Sequence, residues 1–133
     1  MSKRMTKSEL QESLGAFNPV GHAVLAFEND DTTGKVRQAL QDAGLGQDDV
    51  LTFTSGELFP DLTEMMRNAS GAAGFGYEIN LMRRYMTLAS EGAGWLVVYA
   101  PEEEQTAKIA AIAKQFGAKS AVQYGRLLHE DLV

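Results

Sequence analysis

The chain predicts an α+β fold built from two strand-helix-strand units, and two observations carry that expectation. One order of signals occurs twice, from His22 to Thr54 and from Trp95 to Tyr124: apolar strand, acidic cap, helix, glycine stop, second strand. Between them, Phe59 to Glu91 is rich in glycine and methionine and reads as helix and loop. Two such units suggest a ferredoxin-like sandwich, a four-stranded antiparallel sheet with helices on one face, here with a two-helix insertion between strands 2 and 3. The competing arrangement is a small doubly wound parallel sheet.

Taken in order, residues 1–20 are polar and end at Asn18-Pro19, so they read as a flexible N-terminal arm, and 21–133 as a single α/β domain. His22 to Phe27 is a short apolar run bounded by Gly21 and by Glu28-Asn-Asp-Asp31, the pattern of a buried strand. Asp31, Thr32 or Thr33 can cap the next helix. There Val36, Ala39, Leu40 and Ala43 recur at helical spacing before Gly44. A turn at Gln47-Asp-Asp49 leads into a second strand, Val50 to Thr54, in the same sheet.

Phe59-Pro60-Asp61 opens a helix with Leu62, Met65 and Met66 on its apolar stripe, and Asn68 to Gly76 is a glycine-rich break. A further helix runs from Tyr77 to about Ser90, with Leu81, Tyr85 and Leu88 on one line and Met82, Met86 and Ala89 beside it, until Gly92 and Gly94 stop it. Trp95 to Ala100 is apolar throughout and reads as a central strand buried on both faces. Pro101-Glu-Glu-Glu104 suits the first turn of a helix whose buried side is Ala107, Ile109, Ala110, Ile112, Ala113 and Phe116. Gly117 ends it, Ser120 to Tyr124 is the closing strand, and Gly125 to Val133 is a tail.

Composition narrows the function classes. With 133 residues, 44% hydrophobic and 23% charged, the chain is sized and balanced for one folded domain. The absence of cysteine excludes disulfides, thiol catalysis and thiolate metal sites. A net charge of −6 disfavours duplex nucleic acid, which is bound by neutralising phosphates. The basic start runs into Glu9-Leu-Gln-Glu12, not an apolar signal region, and Leu96 to Ala100 is too short to span a bilayer. A cytoplasmic protein without membrane contact is expected.

Few residues carry a chemical signal. Gly71, Gly74 and Gly76 lead into a helix start able to bind an anion through backbone N–H groups, but no Gly-Lys-Ser/Thr follows. Arg67, Arg83 and Arg84 suit bidentate contact with phosphate or carboxylate; the plainer reading pairs them with Glu64 or Glu78 on a solvated face. His22 and His129 are the sole histidines, and Glu28, Asp30 and Asp31 lack calcium-loop spacing, so no metal or cofactor is expected. Ser55 lacks a nucleophile elbow and reads as a turn residue. The segment Gln123-Tyr-Gly-Arg-Leu-Leu-His-Glu130 either closes over a pocket beside the Tyr77 helix or packs Leu127, Leu128 and Leu132 on the sheet or a second subunit.

Phe116-Gly-Ala118, Gln123-Tyr-Gly-Arg126 and the helix around Tyr77 to Glu91 with Gly94 resemble uncharacterised bacterial proteins related to the general stress, heat-induced stress protein domain. The resemblance covers roughly His22 to Leu132 and implies a ferredoxin-like pair of units with an inserted middle connection. It implies no reaction and no catalytic residues. Where many relatives carry a membrane-friendly glycine-rich insert, this chain has Glu78, Arg83 and Arg84.

The leading expectation is a non-catalytic binding or protein-interaction module, homodimeric, with Met65, Met66, Met82 and Met86 able to repack against a partner. The alternative is an enzyme or sensor for a small anionic ligand, phosphate- or carboxylate-bearing, held by Gly74, Gly76, Tyr77, Arg83, Arg84, Tyr124 and Arg126. A third reading, RNA on the sheet face, needs exposed Phe27, Phe53, Trp95 or Tyr99, which read as core.

Overall fold

A computed structural model describes residues 21–58, 76–124 and 129–133. The N-terminal arm, the helix expected at Phe59, the glycine-rich break up to Gly74, and Arg67 and Arg126 lie outside the described residues. Within them the element order is β1 (His22–Phe27), α1 (Asp30–Asp42), a 3₁₀ turn (Gln47–Asp49), β2 (Val50–Thr54) and α2 (Ser55–Leu58). Then come α3 (Gly76–Ser90), β3 (Gly94–Tyr99), α4 (Glu103–Gln115), β4 (Ser120–Tyr124) and β5 (His129–Asp131).

Among the described residues all strand pairs are antiparallel, in the order β2-β3-β1-β4-β5. The four expected strands are present, and the doubly wound parallel alternative is thereby excluded. The expected tail is in part a strand: β5 adds to β4 with Val122 opposite Asp131 and Tyr124 opposite His129. Because β1 is central, flanked by β3 and β4, its six residues are all buried and both of its faces need covering.

Alternation along the strands sorts the core into two layers. Ala23, Leu25, Phe27, Leu96, Val98 and Ala121 face α1 and α4 and pack with Val36, Leu40, Ile109 and Ala113. Val24, Ala26, Phe53, Trp95, Val97, Val122 and Tyr124 face the other way and pack with Leu58, Leu81 and Tyr85. Helices therefore cover both faces, not one as expected, because α3 packs on the side of the sheet away from α1 and α4. On α4, Ile109 and Ala113 are buried in the core and Ala110, Ile112 and Phe116 pack against it as expected; Ala107 is exposed, since two residues turn a helix about 200° away from Ile109.

Local chemistry sets the ends. Asn29 caps α1, its side-chain oxygen accepting from the Thr32 N–H at 2.9 Å, so the helix starts ahead of the expected cap and Asp30 and Asp31 fill its first turn. Glu102 and Gln105 form a capping box on α4, which leaves Pro101 outside the helix. The three long helices among the described residues end alike. At α3 the Ala93 N–H donates to the Leu88 carbonyl and the Gly92 N–H to that of Ala89, with Gly92 at φ +83°, a conformation that favours glycine. Gly44 and Gly117 close α1 and α4 in the same way. Gly94 has a different reason: a Cβ there would sit 2.7 Å from the Asn29 carbonyl oxygen, so the start of β3 can lie against the α1 cap only without a side chain.

Candidate interaction site on the insert helix

The inner side of α3 repeats every three to four residues, Leu81, Tyr85, Leu88 and Ala89, which lays it on the sheet. Tyr85 is the anchor. Its ring meets Trp95 edge-on at 5.2 Å between centroids, and its hydroxyl lies 2.8 Å from that of Tyr124, inside the protein. Trp95 in turn donates its indole N–H to the Ser55 hydroxyl at 2.8 Å, and Ser55 donates to the Ala93 carbonyl at 2.6 Å. Ser55 is thus a structural link between the start of α2 and the start of β3. It sits in a capping box of its own: the Thr54 N–H donates to the Glu57 carboxylate at 2.9 Å, and the Glu57 N–H to the Thr54 hydroxyl at 3.1 Å.

On this same face His22 is buried, with its ring 5.0 Å from that of Tyr99 across the β1–β3 pair. β4 stands between the strands bearing His22 and His129. Among the described residues no three His, Asp or Glu side chains are placed to hold a metal ion.

The outer side of α3 is built differently. Arg83, Met86, Thr87 and Ser90, at helical spacing, line a shallow groove of about 400 Å³. The Thr87 hydroxyl donates to the Arg83 carbonyl at 3.1 Å and the Ser90 hydroxyl to the Thr87 carbonyl at 2.7 Å. Both hydroxyl protons are therefore engaged by the helix backbone, and among the described residues the guanidinium of Arg83 is the strong donor facing the groove. Arg84, one position round, reaches Asp131 of β5 at 3.5 Å, so the C-terminal segment does come against the insert helix. Leu132, next along, turns to the other layer and is buried there.

The expected site residues are consequently distributed. Gly76 and Tyr77 form the first turn of α3. Arg83 borders the outer groove, Arg84 is paired with β5, and Tyr124 lies beneath the helix on Tyr85. Gly74 and Arg126 are outside the described residues. Phe27, Phe53 and Trp95 are buried as core, so they offer no stacking platform for single-stranded RNA. Asp30 and Asp31 are exposed helix-start residues.

The helix termini differ electrostatically. The last turn of α4 carries Lys114. That of α1 has no basic residue of its own but receives Lys108 from α4, whose ammonium donates to the Ala43 carbonyl at 3.4 Å. The last turn of α3 has no basic residue, and Glu91 follows it, exposed. No helix among the described residues is long and apolar enough to cross a membrane. No protein-family model, curated protein or solved structure matches the chain.

Proposed function

We propose that this chain is a small non-catalytic interaction module, an elaborated ferredoxin-like sandwich that meets a protein partner with the outer side of α3. The strand order β2-β3-β1-β4, with α1 and α4 together on one side, supports the ferredoxin-like reading. The stress-related role implied by the sequence resemblance belongs to the same proposal.

The observation that carries the interaction reading is the α3 groove. A pocket for a small anion needs several donors converging on one point. Here the two hydroxyls spend their protons on α3's own carbonyls, which leaves Arg83, among the described residues, as a single charged donor beside Met86. A stripe at positions i, i+3, i+4 and i+7 is instead the surface by which helices pack on one another. Methionine in its middle adapts to the shape opposite.

A photo-crosslinking residue placed at Thr87, with a control at the exposed Ala111 of α4, tests this in cells. A discrete protein adduct from position 87 and none from 111 is expected. Saturable thermal stabilisation by inorganic phosphate, nucleotides or carboxylic acids, abolished by Arg83→Ala, would overturn the reading in favour of an anionic ligand.

A further inference from the structure

Resting on that reading of α3, we infer that the partner is a second copy of this chain, docked helix to helix and antiparallel about a twofold axis between Met86 and Thr87. The stripe Arg83, Met86, Thr87, Ser90 is self-complementary under that operation. Reversing the helix about its midpoint sets Met86 against Thr87 and Arg83 against Ser90, as an isologous interface requires.

Charge selects this pairing. Of the three long helices, α3 is the one whose negative end has no cation among the described residues: α4 has Lys114 in its last turn and α1 receives Lys108. Arg83 and Glu91, both exposed, make no ion pair among the described residues, whereas Arg84 is held by Asp131. Arg83 cannot serve its own helix end. Seven residues place Ser90 about 10.5 Å further along the axis, and the Cα–Cβ bond of Arg83 tilts the opposite way. In the antiparallel pair, each Arg83 reaches the Glu91 carboxylate and helix C-terminus of the other copy, so two equivalent cation-to-helix-end contacts form.

A four-residue stripe buries well under the ~800 Å² per partner of a standard stable interface, which makes this a weak, concentration-dependent dimer. Sedimentation equilibrium of the full chain, from roughly 10 µM to 1 mM, tests it. Dimer is expected to accumulate across that range and to recede at high salt. Arg83→Glu and Glu91→Arg should each weaken association at least tenfold, and the double variant should recover most of that loss, because the swap keeps the two side-chain ion pairs and gives up only the cation that each Arg83 sets against the partner's helix end. With no cysteine in the chain, Thr87→Cys should form a disulfide-linked dimer through the twofold axis. A chain monomeric at 1 mM, or a double variant no better than the singles, overturns the inference. An adduct at position 87 to a different protein, with the chain monomeric, rejects the self-partner and leaves the interaction reading standing; neither adduct nor dimer rejects both.

Discussion

Against α1 and α4 the sheet presents Leu25, Leu96 and Val98 to Val36, Leu40 and Ile109, whereas against α3 it presents Trp95 and Tyr124 to Tyr85, with His22 and Ser120 buried on that same face by strand alternation. The first layer is held by area removed from water and is indifferent to direction. The second adds hydroxyl and indole contacts that hold only in one geometry. Aliphatic layers accept volume-conserving exchange at a cost below about 1.5 kcal/mol. A layer built on Tyr85 and Tyr124 fixes where α3 lies, and hence where its outer stripe points. The two faces thus divide the labour between stability and placement.

Breaking the aliphatic side should have the largest effect. Leu40→Ala empties a fully buried position and is expected to cost about 3 kcal/mol in denaturant unfolding. The near-UV dichroism of Trp95, on the opposite layer, should persist in the folded state. The α3 side is tested by removing hydroxyls without volume. Tyr85→Phe and Tyr124→Phe should each cost about 1–2 kcal/mol, and the double variant measurably less than their sum, because each single change leaves a buried oxygen without its 2.8 Å partner. An additive result would mean that the pair does not act as a unit. The smallest effect belongs to Arg84→Ala. With the side chains of Arg84 and Asp131 41% and 48% exposed, the pair should be worth at most about 0.5 kcal/mol in the same unfolding assay.

The four long strands were legible because each is an apolar run or an apolar alternation between turn formers, and the three glycine stops because left-handed backbone favours that residue. β5 was not: His129-Glu-Asp131 has no apolar alternation, and it is a strand through pairing with β4. Nor was the double-sided covering. The stripe of Leu81, Tyr85 and Leu88 shows that α3 buries a face but not which side of the sheet receives it. Arg83 and Arg84 stood out as a pair, yet adjacent helical positions point about 100° apart, and the fold sends one to the groove and the other to Asp131. Tyr85 escaped notice as a polar partner because its hydroxyl acquires meaning only once Tyr124, 39 positions away, lies beneath it. The signal Thr54-Ser-Gly-Glu57 was present in the residues themselves, a capping box short enough to pass for a turn.

The central place of β1 bears on how the chain comes off the ribosome. His22–Phe27 is made early, yet the strands that hydrogen-bond to it, Gly94–Tyr99 and Ser120–Tyr124, are made late. At 5–20 residues per second the roughly 70 residues that follow Phe27 before β3 is complete take on the order of ten seconds, during which a segment apolar from Ala23 to Phe27 has no sheet to join. Nascent chains stalled before Gly94 should therefore be held by chaperones. Those extended past Tyr124 should release them as both sides of the strand close.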